Sequence, residues 1–468
     1  TAETSAIKLV SRDEGIGMGC SMMRLSGPYL KNPTSEPAIT TEVGGVRINF
    51  LMAPQDSDLE KLLELIIPSK LQFDGGNDEI MVDTLLRQRR KGSVLRASVD
   101  SVNVRIQNMA QLSVLPDLGE ELAKLSTVAK YLPEDDRPGL LTLGDIEKVG
   151  VSLDFGGKLG HFGAELKGLN VGHITVPSLI AIAVNGISLK RNRSEELVST
   201  VSFVKEISPR GPVIMARMIG DDIEPLIKIK MQDLCIDYRV PTIMDILDLG
   251  DDATPQDFEA SLAASVANLG DQAHNVLTRP PGSPSDKSKA ANPMTLDIGF
   301  RDCLLGLNPL GHSSKLVISL TDAHLIAVLP KDVDTSATFT IKKSSILLID
   351  DIAQFTIDAP PATQRPRASS STSRQVTDMC ARGYVEICYI SSTKVIVDVK
   401  ALQDDEKQLN VEVQDGLVVL ETCADSTQTL IALANALKPP TPPSKEDKYR
   451  TDLIPVQNLL AFISAEAF

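Results

Sequence analysis

The chain contains no tryptophan, and aromatic residues make up only 4% of its 468 residues. Hydrophobic residues nevertheless reach 42%, so the apolar content is aliphatic. This composition fits the Val, Ile and Leu core of an ordinary sheet, which is the simpler interpretation. It also fits a smooth hydrocarbon lining that lacks the polar groups of Tyr and Trp.

Spacings typical of metal and redox sites are missing as well. No two of the six cysteines stand at zinc or redox spacing, and no two of the five histidines lie four residues apart. We therefore predict reduced, structural cysteines, no metal and no cofactor. These residues are Cys20, Cys235, Cys303, Cys380, Cys388 and Cys423, with His161, His173, His274, His312 and His324.

Long hydrophobic runs and positive charge are also scarce. The longest uninterrupted apolar windows, such as Leu179–Val184, are far shorter than the roughly 20 residues of a membrane-spanning helix. Forty-seven basic and 62 acidic residues give a net charge of -15, which disfavours nucleic acid and anionic membranes as partners of the whole surface. We expect a cytosolic protein that contacts membranes peripherally. Because the chain starts at Thr1 without methionine, we also expect a fragment.

No catalytic constellation emerges from the sequence. Gly15–Cys20 superficially suggests a phosphate loop, but it lacks the lysine and the buried βαβ unit of that motif, so we predict a flexible loop. The acidic pairs Asp221-Asp222 and Asp350-Asp351 each follow an apolar strand and are explained by turn chemistry. We predict that the chain is not an enzyme.

Most of the sequence alternates between apolar and polar residues, as strands do. In Ser93–Gln107 and in Ile227–Tyr238 the apolar positions change parity once, which predicts a β-bulge that returns them to the same face. Fifteen to twenty strands are expected in all. Short capped helices follow several strand runs and are predicted near 57–67, 117–132 and 254–270.

A further helix is predicted close to the end of the chain. Val411, Val413, Leu417 and Val419 recur at spacing two around Asp415-Gly416, which predicts a hairpin with one apolar face. Cys423-Ala424-Asp425 follows, with Cys423 interpreted as a buried structural cysteine. Asp425 or Ser426 is predicted to cap a helix that ends before Pro439.

Two segments carry a resemblance to a known family. The hairpin, Cys423-Ala424-Asp425 and the helix resemble the Cys-Ala-Asp (CAD) motif of the autophagy-related protein 2 family, bridge-like lipid transfer proteins, in a fungal-type sequence. Glu224–Leu249, a long alternating strand followed by a proline and helical turns, resembles a stretch upstream of that motif. The resemblance implies a mainly β fold: an elongated, strongly curved antiparallel sheet of repeating multi-strand units. Such a sheet forms an open hydrophobic groove, with short helices at the crossings between units.

The resemblance also implies a function. The family carries glycerophospholipids from the endoplasmic reticulum to the phagophore, at contact sites and the preautophagosomal structure. Its implied partners are a phosphoinositide-binding β-propeller of the PROPPIN class and the autophagic transmembrane scramblase. This chain would be an internal section of a monomeric rod that holds bound phospholipid.

On this interpretation the chain divides as follows: groove sections at 1–135 and 136–270, a flexible loop at 271–293, and groove strands at 294–358. A second flexible loop at 359–378 precedes groove strands and the CAD helix at 379–437, a linker at 438–450 and the start of another section at 451–468. The residues predicted to line the groove are Val102, Val104, Ile106, Ile180, Ile182, Ile227, Ile229, Met231, Leu234, Ile236, Val395, Val397, Val411 and Val413.

Three alternatives stay open at this point. The first is a non-enzymatic β-rich scaffold that recruits autophagy partners through its polar loops and has no lipid cavity. The second is a lipid bridge of the vacuolar protein sorting-associated protein 13 type, which should lack the CAD triplet. The third is a set of unrelated α+β domains whose helices simply cover sheets.

Overall fold

A computed structural model describes the backbone of sixteen stretches and positions of the chain. They are residues 2–12, 15–27, 39–66, 92–107, 140–174, 178–201, 211–220, 226–239, 242, 245, 294–309, 312–329, 335–354, 373–401, 407–414 and 416–437.

Eighteen strands join in one sheet. They are β1 (Ala2–Thr4), β2 (Lys8–Arg12), β3 (Gly15–Gly27), β4 (Ile39–Leu51), β5 (Val94–Ile106), β6 (Leu141–Gly156), β7 (Gly160–Ile174), β8 (Ser178–Arg191), β9 (Glu195–Thr200), β10 (Ile214–Gly220), β11 (Leu226–Gln232), β12 (Leu234–Tyr238), β13 (Met294–Leu307), β14 (Lys315–Leu329), β15 (Thr335–Ile349), β16 (Val385–Ala401), β17 (Lys407–Gln414) and β18 (Leu417–Leu420). The described helices are α1 (Asp56–Ile66), α2 (Arg374–Ala381), α3 (Ala424–Ala436) and a 3-10 turn at Ile352–Gln354.

These strands fill fourteen positions, because four positions each hold two short collinear strands. The pairs β1/β2, β9/β10, β11/β12 and β17/β18 each pair, one after the other, with the same neighbour. The order across the sheet otherwise follows the chain. At the usual spacing of strands the sheet extends for roughly 60 Å across its strands.

The sheet divides at two parallel junctions into sections of four, five and five described strand positions. Only β5 with β6, and β11/β12 with β13, are parallel among the described pairs. Five antiparallel positions lie between these junctions, and five more run from β13 to β17/β18. A strand that runs parallel to the one before it must begin at the same end of the sheet, so the chain has to cross back over the strands first. The mainly β fold of repeating units is therefore confirmed, in a sheet that is mixed rather than purely antiparallel.

A single line of interruptions crosses every strand position. At this line the ladder between neighbouring strands skips one or two levels and then resumes, as between Ile146↔Leu169 and Lys148↔Lys167. The register shifts locally there between β14 and β15, around Asp322, and the collinear pairs are split at the same line. Asp100 and Asp233 lie on it, between the two parities of apolar residues noted in the sequence. The other members include Ser21, Gly45, Glu147, Gly168, Asn185, Asp302, Thr321, Lys342 and Ser392.

The interruption line bends the sheet. Five of its residues have φ in the left-handed region, at 50° to 63°, where glycine and aspartate are tolerated best. Side chains from both sides of the line pack together on one face. Their cluster includes Ile214, Met231 and Phe300 from one side with Ile187 and Leu234 from the other. We call this the inner face, and the two halves of the sheet wall A (toward Ile229) and wall B (toward Ile236).

Two helices cover the outer face. On wall A, Leu62, Leu65 and Ile66 of α1 pack on a buried cluster that includes Leu141 and Ile174. On wall B, α2 packs through Val376 and Met379 onto Leu304, Val317 and Leu347. The start of α2 reaches the interruption line, because Ser373 Oγ donates to Asp302 Oδ1 at 2.8 Å and Gln375 Nε2 to Asp233 Oδ1 at 2.7 Å.

Glycine at the interruption line is required by the backbone and by close packing. Gly168 has φ +58°, and a Cβ there would stand 2.3 Å from Asn185 Nδ2. We expect Gly168→Ala to cost about 1–2 kcal/mol of stability, because a left-handed alanine is strained. Gly163→Ala is the control on the same strand, since nothing lies within 4 Å of its added Cβ. Thermal unfolding of the two variants compares them, and equal melting temperatures would contradict a special role for Gly168.

The structure corrects several predictions about local elements. Gly15–Cys20 is not a loop but the start of β3. Asp415-Gly416 does not close a hairpin, since β17 and β18 run in the same direction along β16. Leu417 and Val419 consequently pair with Ser391 and Tyr389 and face away from Val411 and Val413.

Boundaries and caps differ from the predictions too. The loop predicted at 359–378 overlaps the first half of α2. Helix α1 lies between antiparallel neighbours β4 and β5, so it does not mark a crossing, and its start is held by Asp58 Oδ2, which accepts the Gln55 backbone N–H at 2.9 Å. The helices predicted at 117–132 and 254–270, the pair Asp221-Asp222, the loop at 271–293 and the segments at 438–450 and 451–468 lie outside the described residues.

Candidate functional site: an apolar groove

The inner face carries two apolar rows that run across the sheet, one on each wall. Paired residues on neighbouring strands point to the same side, so the printed register follows each row from strand to strand. Row A is Met18, Ile48, Ala97, Gly144, Val171, Ile182, Ala216, Ile229, Ile298, Leu325, Phe339, Val395 and Val413. Row B is Leu25, Thr41, Val104, Val151, Ala164, Leu189, Val198, Ile236, Leu305, Ile318, Ile346, Cys388 and Leu420.

All fourteen residues that the sequence predicts for the groove lie on this inner face. Ile180, Ile182, Ile227, Ile229, Met231, Val395, Val397, Val411 and Val413 are on wall A, and Val102, Val104, Ile106, Leu234 and Ile236 are on wall B. The parity change in each long strand is what keeps both halves on one face. Whether lipid occupies the face stays a prediction.

Exposure distinguishes the two faces of the sheet. Outer-face residues beneath the helices are buried, with Leu347 and Ile174 at 0% exposed. Row A is only half-buried along most of its length and is 42% exposed at Met18 and 66% at Val413. A contiguous apolar surface of this extent is rare on a soluble protein unless something binds to it.

The floor of the groove is the part of the inner face that protein atoms do fill. Leu234 and Cys303 are 3% and 7% exposed there, beside Met231 and Phe300. The ring of Phe300 meets that of Phe339 edge to face at 6.1 Å. The groove is therefore closed below and open above, as a channel for elongated molecules would be.

Only six of the twenty-six residues in the two rows are among the fourteen predicted from the sequence. Ile298, Leu325, Ile48, Val171 and Phe339 are row residues that were not assigned to the groove. Apolar alternation shows that a strand has one apolar face, but not on which side of the sheet that face lies. Only the pairing of each strand with an already assigned neighbour decides the side.

The CAD triplet stands where wall B ends. Helix α3 begins at Ala424 with Cys423 as its N-cap, not at Asp425 or Ser426 as predicted. Ser426 Oγ accepts the Cys423 backbone N–H at 2.9 Å, and Cys423 itself is exposed rather than buried. Hydrogen bonds from the Ser426 side chain and backbone lower the pKa of the Cys423 thiol.

This lowered pKa predicts a pH profile. Because the thiolate is the reactive form, alkylation of Cys423 by iodoacetamide should reach half its maximal rate at a lower pH than for an ordinary thiol. Ser426→Ala should shift that midpoint to higher pH. Peptide mass spectrometry across a pH series measures both, and a midpoint unmoved by Ser426→Ala would show that the hydrogen bond does not set the pKa.

In other cysteines the thiol pKa is shifted in the opposite direction, upward. All six are free. Burial raises the pKa of Cys235 to about 12 and that of Cys303 to about 11, so both are thiols at neutral pH. No group of three or more metal-ligating side chains occurs within the described part of the chain. Asp350-Asp351 forms a turn as predicted, with Asp351 Oδ1 accepting the Ala353 N–H at 2.9 Å.

Among the described residues, no helix has the length and apolar character needed to cross a bilayer.

Comparison with known proteins bears on the whole chain. The family pattern described as autophagy-related protein 2 matches residues 1–468. The chain belongs to the autophagy-related protein 2 family. Relatives of that name from Gibberella zeae, Neurospora crassa and Chaetomium globosum are 75%, 52% and 53% identical to it, over 100%, 99% and 99% of its length.

The family assignment covers a piece of a longer protein. The chain spans about a fifth of the curated relatives it matches, 21% in Gibberella zeae and 23% in Neurospora crassa. It thus provides one section of an autophagy-related protein 2, and the section contains the CAD triplet at Cys423-Ala424-Asp425.

Proposed function

We propose that this chain is an internal section of a bridge-like lipid transfer protein and carries glycerophospholipids along its inner face. Acyl chains would lie against rows A and B, while head groups remain in water above the open side. Each acyl methylene removed from water contributes roughly 0.8 kcal/mol. Direction would come from a lipid gradient, so the proposed transport needs no catalytic residue and no cofactor other than the bound lipid.

The single observation that carries the proposal is the continuity of row A. Thirteen paired residues from Met18 to Val413 include no polar side chain, although the row is left half-exposed. An ordinary core would be covered and would interdigitate with its cover. Here α1 and α2 cover parts of the outer face, and the uninterrupted apolar row of the inner face is left partly exposed.

The family name supports the further proposal that this transport serves autophagy. We propose that the section works within a rod between the endoplasmic reticulum and the phagophore, on the cytosolic side of membranes and at the preautophagosomal structure. A PROPPIN-class β-propeller and the autophagic scramblase are the proposed partners, reached mainly through other parts of the full-length protein. No nucleic acid partner is proposed, since the net charge is -15.

Organic extraction of the full-length protein tests the proposal. We expect mass spectrometry to find several glycerophospholipids per molecule, and an added fluorescent phospholipid to displace them. A folded protein that carries no lipid and binds none of the fluorescent probe would exclude the groove function and favour the scaffold. The scaffold has no specific observation in its favour, because its recruiting loops lie outside the described residues.

A further inference from the structure

Helix α3 lies on the opposite face of the sheet from the other two described helices. It packs through Leu430 and Leu433 onto Leu348, Ile346 and Cys388, which belong to the inner face. Helix α2 covers the same strands from outside through Leu347 and Val317. The two helices therefore sandwich β14–β16, and α3 occupies part of the groove itself.

Side chains of the inner face beneath α3 are less exposed than those of row B elsewhere. Leu348 and Cys388 are 3% and 5% exposed, whereas Ile236 in the same row is 43% exposed. Leu433 is 1% exposed and inserts where an acyl chain would otherwise lie. The helix thus fills, with its own side chains, a place equivalent to the open places elsewhere in the groove.

The hold of α3 on the sheet is slight. Of its thirteen residues only Leu433 is buried, while Ile431 on the far side is 57% exposed. Thr429 Oγ1 in the helix body donates a hydrogen bond to Asp350 Oδ1 just after β15, at 3.0 Å and exposed to water. At the N-terminus, the Glu421 backbone N–H donates to Ile387 O at 2.8 Å. The helix is thus attached at its N-terminal end and held on the sheet by a small apolar contact, unlike a helix buried in a core.

We propose that α3 is a displaceable cover of the groove: seated, it excludes acyl chains from the inner face of β14–β16, and lifted, it opens that stretch to lipid. Such a cover lets acyl chains reach wall B at β14–β16 only while α3 is off the sheet. Lipid and helix compete for the same apolar surface, so more lipid in the groove favours the open state. The inference rests on the proposed function, since it assumes that acyl chains enter the groove.

The first test uses Leu433→Gln and Ile431→Gln in the full-length protein. Both place the same amide on α3, but only Leu433 is seated against the sheet. We expect Leu433→Gln to raise maleimide labelling of Cys388 by roughly tenfold, as the loss of a well-buried leucine contact allows, and Ile431→Gln to leave it near the wild-type rate. Equal labelling in both variants would overturn the proposal.

The second test does not depend on a destabilised helix. The variant combines Asp350→Cys with Thr429→Cys, and oxidation joins the two cysteines in a disulfide that should hold α3 on the sheet. Thr429→Cys alone is the control. The probe is a phosphatidylcholine with a diazirine on its acyl chain, and peptide mass spectrometry locates its cross-links. We expect the lock to remove cross-links near Cys388 and to keep those near Ile229 and Ile298.

The two hypotheses fail in different ways. Cross-links near Cys388 that persist in the locked protein would overturn the cover while leaving the groove intact. An absence of cross-links on both walls, locked or unlocked, would overturn the proposed lipid transport itself.

Discussion

Full-length protein carrying Ile229→Asp with Ile236→Asp should lose most of its bound phospholipid and transfer lipid between vesicles at least tenfold more slowly. Ile229 lies in row A and Ile236 in row B, so the pair places one carboxylate on each wall. An ionised carboxylate in hydrocarbon without a partner costs several kcal/mol, and 1.4 kcal/mol corresponds to a factor of ten. Acyl chains would have to leave a gap at both sites.

The control for this prediction is Ile326→Asp. Ile326 is 41% exposed, close to the 43% of Ile236, but it pairs with Asp297 and Thr338 on the outer face of wall A. This single change, of the same type as each of the two inner ones, should leave lipid content and transfer near wild-type values. If Ile326→Asp impairs transfer as strongly as the inner pair does, the effect comes from charge or stability and the inner face has no special role.

Much of the groove could be predicted because apolar alternation is a local property. The parity changes in Ser93–Gln107 and Ile227–Tyr238 are visible in the sequence, and the structure has Asp100 and Asp233 on the interruption line between the two parities. The interruption line crosses all fourteen strand positions of the sheet, and this alignment is not a local property of the sequence. It arises from register between strands far apart in the chain, and no single segment contains that information.

The wrong turn prediction has a physical cause. Asp-Gly is the favoured pair for a tight hairpin because both residues tolerate positive φ. The interruption line needs the same tolerance in order to bend a strand without reversing it, as at Asp302 and Ser392. Strands β17 and β18 are split at that line and continue in the same direction along β16, so a turn signal between them did not produce a hairpin.

Helix faces were the other limit of sequence reasoning. Apolar residues at helical spacing predict the helix near the end of the chain, but that spacing does not say which face of a sheet the helix covers. Leu433, the buried residue of α3, is identified only by the structure. Helix α2 was missed because it is only eight residues long and follows a polar run. Its anchors, Ser373 to Asp302 and Gln375 to Asp233, join residues that are distant in the sequence.

The largest expected loss of stability is in the attachment of α1. Asp58 is 1% exposed, and its carboxylate accepts Arg96 Nη2 at 2.7 Å, Arg96 Nε, and the Gln55 backbone N–H. We expect Asp58→Ala to cost about 3 kcal/mol, at the lower end of the range for a broken buried ion pair, since the Arg96 side chain is 32% exposed and keeps some water. Thermal unfolding and proteolysis near α1 measure the effect.

Asp56→Ala is the matched control, because Asp56 is an exposed aspartate in the first turn of the same helix. Removing it should cost no more than about 1 kcal/mol, the size of a helix-dipole contribution. If the two variants have the same melting temperature, the Asp58–Arg96 pair does not stabilise the attachment of α1. If Asp58→Ala alone loosens α1, lipid content should still be retained, since α1 covers the outer face while rows A and B line the inner one. Stability and lipid binding would then be separable properties of the two faces of one sheet.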